Sequence, residues 1–495
     1  MRQQPDYIPR TNFGYFIQNH INTLDQSGEW AYDKNLQDLY VYSQDNFAQA
    51  KIRYTYTPSL INIRRQTHLI IQNLKLMESN EMGIDLYKSH FIVMSHLVME
   101  DMGEKGIQSY QSDHIQIKKT LIRRAYDVAA SLNGNNYQIV NNQFYDIGLV
   151  RGMGFNYGAL VIDVDDMLFE SNRIKDVGYI GLNFSGDDVL IQKNEISHVC
   201  RILDDGGGIY TFNGFEKRNA DNNRIVRLNY IHDVFSALDG AGYSIPLSCG
   251  VYLDSGVRNV EVSQNTIRDC QGAGVYVHNA IDNQILSNNL YFNVSGIDVT
   301  DDNTSSIRCR NNLVKDNKVL MIAKGLQSIR VSGTKDTGDF RRLAEIDHNF
   351  YSDPFYNSRV RYAKAFGDLG VLTLDKWKSI HQMDANSKGT PVIYPPFLVD
   401  SYLDDNLIKN GSFDKNWKEW ICQKDCEIQV DSSQIEFSHN RAEDALWEYV
   451  EFYQDIDARR TGVYEISFRA KAELKKKNIY FYLRQNKEPY KKISD

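Results

Sequence analysis

A short pattern of apolar residues and asparagine returns along the chain at nearly constant intervals, and this repeat restricts the fold more than any other feature. The pattern reads apolar-x-apolar-x-x-Asn-x-apolar, for example from Val189 to Ile196 and from Val260 to Ile267. Most intervals measure 22 to 24 residues and three measure 30, 35 and 36, as in a solenoid with inserted loops. The asparagine column contains Asn142, Asn172, Asn194, Asn229, Asn265, Asn288 and Asn311, and earlier segments carry Leu74, His96 and Thr120 in that position.

The length of the repeat favours strands over helices. Three short strands and their turns fit into 22 to 24 residues, whereas a helical repeat needs longer apolar stripes of period 3.6. Alternating apolar residues indicate one buried face and one outer face. Asparagine tolerates left-handed turns, and its amide can bond the asparagine of the next coil. The sequence therefore predicts an all-β parallel β-helix of about ten coils, roughly 4.8 Å apart; a β-sandwich with coincidental spacing is the alternative.

Composition excludes several classes of function. Lys plus Arg total 56 against 64 for Asp plus Glu, giving a net charge of −8, which opposes general binding of nucleic acid or anionic membranes. No stretch approaches the roughly 18 apolar residues of a membrane span, and six cysteines are too few for a disulfide scaffold. No cofactor is expected. Asp298, Asp301 and Asp302 offer oxygen ligands for a structural Ca²⁺, but a solvated turn is the preferred interpretation.

One strand can be aligned over five consecutive coils. It begins at Gly181, Gly208, Gly250, Gly274 and Gly296. The first and third residues after each glycine are mostly aliphatic and should fill the core, so the second and fourth must point outward. The predicted outward stripe consists of Asn183, Tyr210, Tyr252, Tyr276 and Asp298 beside Ser185, Phe212, Asp254, His278 and Thr300.

Four carboxylates accompany this stripe. Asp254 ends its strand facing outward, and Asp204 and Asp205 lie on the turn before Tyr210. By its offset from the asparagine column, Asp239 should stack one coil away from Asp204. Two carboxyl groups that face a glycosidic bond suffice for hydrolysis, and close like charges raise one pKa. Each Asp is also a common turn residue.

The other features of this region have two interpretations each. The tyrosine rings suit sugar faces, and the glycines at 206–208 would let a sugar approach the backbone. His278 would either orient a carboxylate or bind a hydroxyl group, or it stacks with its neighbours. The insertions at 150–158, 213–223 and 239–249 should flank the stripe and build a site; neutral surface loops are the alternative.

With the coils assigned, the region from about residue 12 to 390 resembles pectate-lyase-like right-handed β-helix proteins of the bacterial glycoside hydrolase type. The similarity rests on the opening LDQSGEWAYDKNLQDLYVY, the central DDGGGIYTF, NYIHDV and GVYLDSG, and the closing TLDKWKSIHQMDANSK. The sequence is similar to glycoside hydrolase families 120 and 141. In the former, a strand-end Asp like Asp254 is the nucleophile, and its partner is a Glu on the next coil. This chain has Tyr276 and His278 there, so that acid does not carry over.

Family 141 keeps an Asp-Gly-Gly-x-Ile-Tyr segment like the one from Asp205 to Tyr210. The resemblance therefore implies Asp254 and Asp205 as the catalytic pair, with Asp204 or Asp239 as substitutes. Substrate-binding residues would be Asp204, Asp239, Tyr210, Phe212, Tyr252, Tyr276 and His278.

The pattern changes after the helix. We predict an N-terminal β entry segment at 1–60, the catalytic β-helix at 61–390, a linker at 391–403 and a β-sandwich at 404–495. The last segment resembles jelly-roll carbohydrate-binding modules of the family 4 and 9 type, shorter than usual, so we expect a fragment of a secreted or periplasmic protein. Alternating Tyr464, Ile466 and Phe468 fit such strands, and Trp417 and Trp420 would stack on sugars or pack in its core.

The leading hypothesis is a glycoside hydrolase with a carbohydrate substrate. One alternative is a polysaccharide lyase, which needs a base and a cation beside a uronate; Arg151, Lys217 and Arg218 lie on the insertions, and the five aligned strands carry no basic residue on their outer face. The other is a non-catalytic carbohydrate-binding adhesin, in which the carboxylates only cap turns.

Overall fold

The chain divides into two compact units, Met1–Tyr394 and Pro395–Asp495. The computed structural model describes residues 19–44, 54–149, 158–214, 223–238, 246–302, 307–321, 327–333, 340–352, 359–364 and 368–390, with residues 17 and 49 and short stretches between 408 and 494. Over these residues the first unit is a parallel β-helix with eleven complete coils, from Ser59 to Ser352, and a partial twelfth. The all-β fold predicted from the repeat is confirmed, with one coil more than expected.

The coils build three parallel sheets, and most coils give one strand to each. Sheet 1 contains Ser59–Arg64, Met82–Tyr87, Leu182–Ser185, Gly207–Thr211, Cys249–Leu253, Ala273–His278, Ser295–Thr300, Gln327–Gly333 and Arg359–Lys364. Sheet 2 contains Thr67–Gln72, His90–Ser95, Val189–Gln192, Arg224–Arg227, Val260–Ser263, Gln284–Leu286, Asn312–Lys315 and Ala344–Asp347. Three long strands run through both sheets: Lys105–Lys118, Val128–Val140 and Leu160–Glu170. Sheet 3 contains Lys75–Ser79, Val98–Met102, Leu121–Ala125, Gln143–Ile147, Arg173–Val177, Glu195–Val199, Tyr230–Val234, Thr266–Cys270, Asn289–Tyr291, Lys318–Leu320, Phe350–Ser352 and Lys388–Thr390.

The asparagine column forms a buried ladder at the turn between sheets 2 and 3. Asn265 is fully buried, its amide nitrogen donates to Val226 O at 2.8 Å and to Asn288 Oδ1 at 3.0 Å, and its own Oδ1 accepts from Asn229. Each rung therefore satisfies backbone groups that the turn leaves unpaired. The same contacts repeat from coil to coil through Asn142, Asn172, Asn194, Asn229, Asn265, Asn288, Asn317 and Asn349.

Two residues of the predicted column were assigned wrongly. Asn288 bonds Asn317, whereas Asn311 lies on another turn with φ of 55° and donates to Asp282. In the second coil Leu97 is the buried residue at this position, and its carbonyl accepts from Leu121 N, while His96 is the preceding residue with φ of 53°. Both residues are left-handed and directly precede a buried turn position. At Asn311 the error arises because asparagine also favours the left-handed conformation.

We expect Asn265→Asp to destabilise the β-helix by about 3 kcal/mol or more, because it removes a buried amide donor and places a charge in the ladder. Asn141→Asp is the matched control, because Asn141 is exposed on a left-handed turn, and it should change stability by less than about 0.5 kcal/mol. Urea unfolding followed by circular dichroism measures both. Equal effects of the two variants would contradict the structural role of the ladder.

The ends of the helix depart from the regular coils. Before the first coil lie a one-turn 3₁₀ helix, Ile21–Thr23, and an antiparallel hairpin of Trp30–Asp33 with Asp38–Val41, within the entry segment predicted at 1–60. At the other end Asp368–Thr373 runs antiparallel to Arg359–Lys364.

An α-helix at Leu374–His381 follows, which the sequence pattern does not predict. The side chain of Thr373 caps its first turn, and the helix ends at Gln382 in a left-handed conformation, as helix termini often do. Trp377 is fully buried, with its ring centroid 5.7 Å from that of Phe340, which lies in the 3₁₀ helix Phe340–Arg342. The helix therefore packs its tryptophan onto the last coils of the core.

In the second unit the described strands form three antiparallel pairs. They are Ile421–Gln423 with Glu451–Tyr453, Glu427–Asp431 with Gln434–Ser438, and Leu483–Arg484 with Lys492–Ser494. Trp420 Nε1 donates to Asn410 O at 3.3 Å. The predicted strand at 464–468 and Trp417 lie outside the described residues, and the jelly-roll assignment stays a prediction. No helix in the described part of the chain has the length and apolarity to cross a membrane.

Candidate active site

The outward stripe of sheet 1 has the predicted alignment. Asn183 is paired with Tyr210, Tyr210 with Tyr252, and Tyr252 with Tyr276 on consecutive coils. Tyr276 is followed by Asp298, and Asp298 by Arg330. The five aligned strands therefore stack in register, and the row continues onto a basic residue of the next coil.

Asp254 is the centre of this surface. Its Oδ1 accepts hydrogen bonds from Ser255 N at 2.6 Å and from His278 Nδ1 at 2.7 Å, and its Oδ2 accepts from Tyr210 Oη at 2.7 Å. The side chain keeps 15% of its surface exposed. These donors come from the same coil, the coil before and the coil after, so the carboxylate is held in one orientation and still reaches solvent.

His278 bridges two carboxylates. Its Nδ1 contacts Asp254, and its Nε2 lies 2.9 Å from Asp302 Oδ2. Asp302 is itself fixed by Asn279, whose Nδ2 donates to Oδ1 at 2.7 Å. Burial by itself would lower the pKa of His278, but the hydrogen bonds and charges of the two carboxylates outweigh it and raise the pKa to about 9. The imidazole is therefore a cation at neutral pH, with both ring nitrogens donating.

This raised pKa predicts how stability depends on pH. A folded-state pKa of about 9, above the unfolded value of about 6.5, gives a stabilisation that is complete below pH ~6.5 and is lost as pH rises through ~9. The wild-type protein should lose on the order of 3 kcal/mol over that interval. We expect urea unfolding of His278→Gln to lack this dependence; an unchanged pH slope in the variant would contradict the bridging role.

Asp205 lies in the turn before the Tyr210 strand, and its environment favours the protonated form. Burial raises its pKa, and the negative charges of Asp254 and Asp204 add to this effect, giving a value of about 6. Tyr252 Oη approaches Asp205 Oδ1 at 3.4 Å, and Tyr179 Oη donates to the Asp205 carbonyl at 2.7 Å. A carboxyl group with such a pKa can donate a proton near neutral pH.

The two carboxyl groups are linked through Tyr252. Its Oη lies 3.4 Å from Asp205 Oδ1 and 3.5 Å from His278 Nδ1, which is 2.7 Å from Asp254 Oδ1. These steps keep the two carboxyl groups within the ~10 Å that acid and nucleophile or base span in glycosidases. Loop folding thus brings together the turn that enters one strand and the end of the next strand.

The three tyrosines form a small apolar cluster outside the main core. The ring centroid of Tyr252 lies 5.2 Å from that of Tyr210 and 4.7 Å from that of Tyr276, and Tyr276 stacks on His278 at 5.4 Å. Burial raises the pKa of all three phenols, and the nearby carboxylates add to it. The phenols therefore stay protonated and act as hydrogen-bond donors.

The remaining predicted residues have different positions. Phe212 is 38% exposed at the edge of the stripe. Asp204 is buried and accepts from Ser248 Oγ at 2.6 Å and from Leu247 N, so its visible contacts anchor the next coil's turn. Asp239 lies outside the described residues, as do Arg151, Lys217, Arg218 and most of each insertion.

The glycines at 206–208 have a packing role. A Cβ on Gly207 would lie 2.6 Å from Cys249 O, and one on Gly208 would lie 2.6 Å from Ile231 Cγ2. The neighbouring coil and the core therefore require these glycines, independently of any bound sugar.

The carboxylates considered for Ca²⁺ are engaged by the protein. Asp298 contacts Ser295 Oγ and Arg330, Asp301 pairs with Arg308 at 2.8 Å, and Asp302 contacts His278. No group of three or more metal-binding side chains is found among the described residues.

Sequence reasoning missed Asn279, Ser255, Tyr179 and the role of Asp302. One signal was available for Asp302: it follows His278 by 24 residues, and His278 follows Asp254 by 24 residues, so the three lie on successive coils. Asp302 is two residues beyond the end of the aligned stripe and was therefore left out.

The model of the family "Right handed beta helix region" matches residues 157–336, which confirms the predicted handedness. Among solved structures, the mannuronan C-5 epimerase A-module of Azotobacter vinelandii matches at 13% identity and a TM-score of 0.37, over 65% of this chain and 79% of that one. An alginate lyase of Paenibacillus sp. matches at 13% identity and a TM-score of 0.36, over 61% of this chain and 99% of that one. A tailspike protein, Dettilon, matches at 14% identity and a TM-score of 0.33, over 63% and 61%.

Matches this distant concern the path of the backbone and carry no information on activity. A search of curated proteins found no match.

Proposed function

We propose that this chain is a glycoside hydrolase acting on a poly- or oligosaccharide at the sheet 1 stripe. The observation that carries the proposal is the pairing of Asp205, whose pKa is raised to about 6, with Asp254, which is held by Tyr210, Ser255 and His278. Two carboxyl groups in different environments are what acid-assisted cleavage of a glycosidic bond needs.

In this mechanism Asp205 donates its proton to the leaving oxygen while the glycosidic bond breaks. Asp254 either attacks the anomeric carbon or takes a proton from the attacking water. His278, as a cation, orients Asp254, and Asp302 orients His278. Tyr210, Tyr252 and Tyr276 offer ring surface and hydroxyl donors to the sugar.

One observation favours a second candidate, a polysaccharide lyase. The stripe carries positive charge at His278 and, two coils further on, at Arg330, which lies 3.6 Å from Asp298 and keeps 29% of its side chain exposed. Cations of this kind neutralise a uronate carboxylate so that a proton can be removed beside it. The protonated tyrosines do not supply the base, since burial raises their pKa, and for that reason we place the lyase second.

The test is a screen of the full chain against neutral and uronate-containing polysaccharides, reading reducing ends and near-ultraviolet absorbance together. Hydrolysis gives new reducing ends without absorbance, and both Asp254→Asn and Asp205→Asn should abolish them. Absorbing, unsaturated products would establish the lyase. Binding without product from any substrate would identify an adhesin, and the carboxylates would then only cap turns. We further propose an extracellular or periplasmic location, where such a substrate occurs.

A further inference from the structure

Sheet 3, on another face of the helix, has a depression of its own that the proposed active site does not use. Its floor is Ser197, which is buried. The residue in register with Ser197 is the much longer Lys175 on the coil before and His232 on the coil after. Tyr145 is in register with Lys175 on the coil before that. Because neighbouring coils are only ~4.8 Å apart, one small side chain between two long ones leaves a gap between the long side chains on the outer surface of the sheet.

The walls of this cleft carry charges of both signs, and most are paired. Arg173 holds Glu195 through two hydrogen bonds of 2.9 Å, and Arg201 Nη1 lies 3.0 Å from Asp176. His232 Nδ1 lies 2.6 Å from Asp233. Pairing removes the net field that would select a strongly charged ligand, while donors and acceptors remain side by side.

Two ring nitrogens beside the cleft lack a hydrogen-bond partner among the described residues. They are His198 Nδ1 and His232 Nε2; the latter is 3.7 Å from Glu195 Oε1, too far for a hydrogen bond. Unsatisfied buried nitrogens are uncommon and costly. Both nitrogens have almost no accessible surface, so a ligand in the cleft would instead meet the exposed parts of Arg173, Lys175 and Glu195. A hydroxyl group, which both donates and accepts, suits such a mixture of donors and acceptors.

We propose that this cleft on sheet 3 is a second carbohydrate-binding site, specific for a neutral sugar unit. Mixed, mutually neutralised donors and acceptors match the hydroxyl groups of an uncharged sugar, and the ring of Tyr145 offers an apolar surface. This binding does not depend on the activity proposed for sheet 1. A site on a separate face would hold the protein on a polysaccharide while sheet 1 engages another segment of chain.

The test uses the full chain with the substitution Asp254→Asn, so that turnover cannot consume a ligand. This protein is applied to an array of neutral and acidic glycans, and the affinity of each glycan that binds is measured by calorimetry. Ser197→Leu fills the cleft from its outer face, and Thr266→Leu makes a similar change on the outer face of the same sheet, outside the cleft. Lys175→Ala, at an exposed wall position, is the second variant and leaves the floor intact.

We expect one or more neutral glycans to bind. Their affinity should fall by about tenfold or more in Ser197→Leu, should also fall in Lys175→Ala, and should be unchanged in Thr266→Leu. If no neutral glycan responds to Ser197→Leu and Lys175→Ala, the proposal is wrong. If only acidic glycans respond, the neutral specificity is wrong. Thermal unfolding of each variant shows whether a lost signal comes from lost folding.

Discussion

Asp254→Asn should lower kcat by at least about a thousandfold, with the affinity for an oligosaccharide nearly unchanged. The amide has the shape of the carboxylate but cannot attack the anomeric carbon or take a proton from water. The amide oxygen can still accept from Ser255 N, and the amide nitrogen can donate to Tyr210 Oη, so the coil should remain in place. Initial rates and calorimetric binding to the same oligosaccharide separate the two effects.

Asp282→Asn is the matched control for this substitution. Asp282 is an exposed residue on a left-handed turn of the same helix, and asparagine tolerates that conformation. This variant should keep wild-type kcat and stability. If Asp254→Asn kept more than about a tenth of the wild-type kcat, Asp254 would not be a catalytic residue.

Asp205→Asn should lower kcat by roughly 10²- to 10⁴-fold on a natural oligosaccharide, whose leaving sugar needs a proton. The loss should be far smaller on an aryl glycoside with an acidic phenol, because that leaving group departs without protonation. Rates on the two substrates, measured side by side, isolate the acid's contribution. Equal losses on both substrates would indicate a positioning role for Asp205 instead.

The pH profile gives an independent readout of the same residue. Activity requires the protonated form of Asp205, whose pKa is raised to about 6, so wild-type kcat/KM should fall as pH rises through that value. This alkaline limb should disappear in Asp205→Asn. A limb that persists in the variant would assign the titration to another group.

The repeat predicts much of this fold because each coil buries the same positions. The outward stripe with Tyr210, Tyr252 and Tyr276 follows from strict alternation, since a β-strand leaves no other direction for these side chains. The prediction of the asparagine ladder was wrong at Asn311, because asparagine suits both a buried rung and an exposed left-handed turn. Residue type alone does not distinguish the two.

The sequence predicts that one of the neighbouring carboxyl groups has a raised pKa, but it does not identify which one. The raised pKa of Asp205 depends on burial and on Asp254, which is 49 residues away along the chain. The bridge from His278 to Asp302 requires the true register of the coils, and Asp302 belongs to a segment that also suited a solvated turn. The cleft at Ser197 is not predictable from the sequence, because a small outward residue forms a depression only where long side chains stack on either side of it.

The mass of the products tests the proposed reaction most directly. A defined oligosaccharide that the wild-type protein cleaves is digested, and the products are weighed by mass spectrometry. Hydrolysis adds one water, so the product masses should sum to the substrate mass plus that of one water. Product masses that sum to the substrate alone, with near-ultraviolet absorbance, would show elimination and contradict the hydrolase mechanism of Asp205 and Asp254.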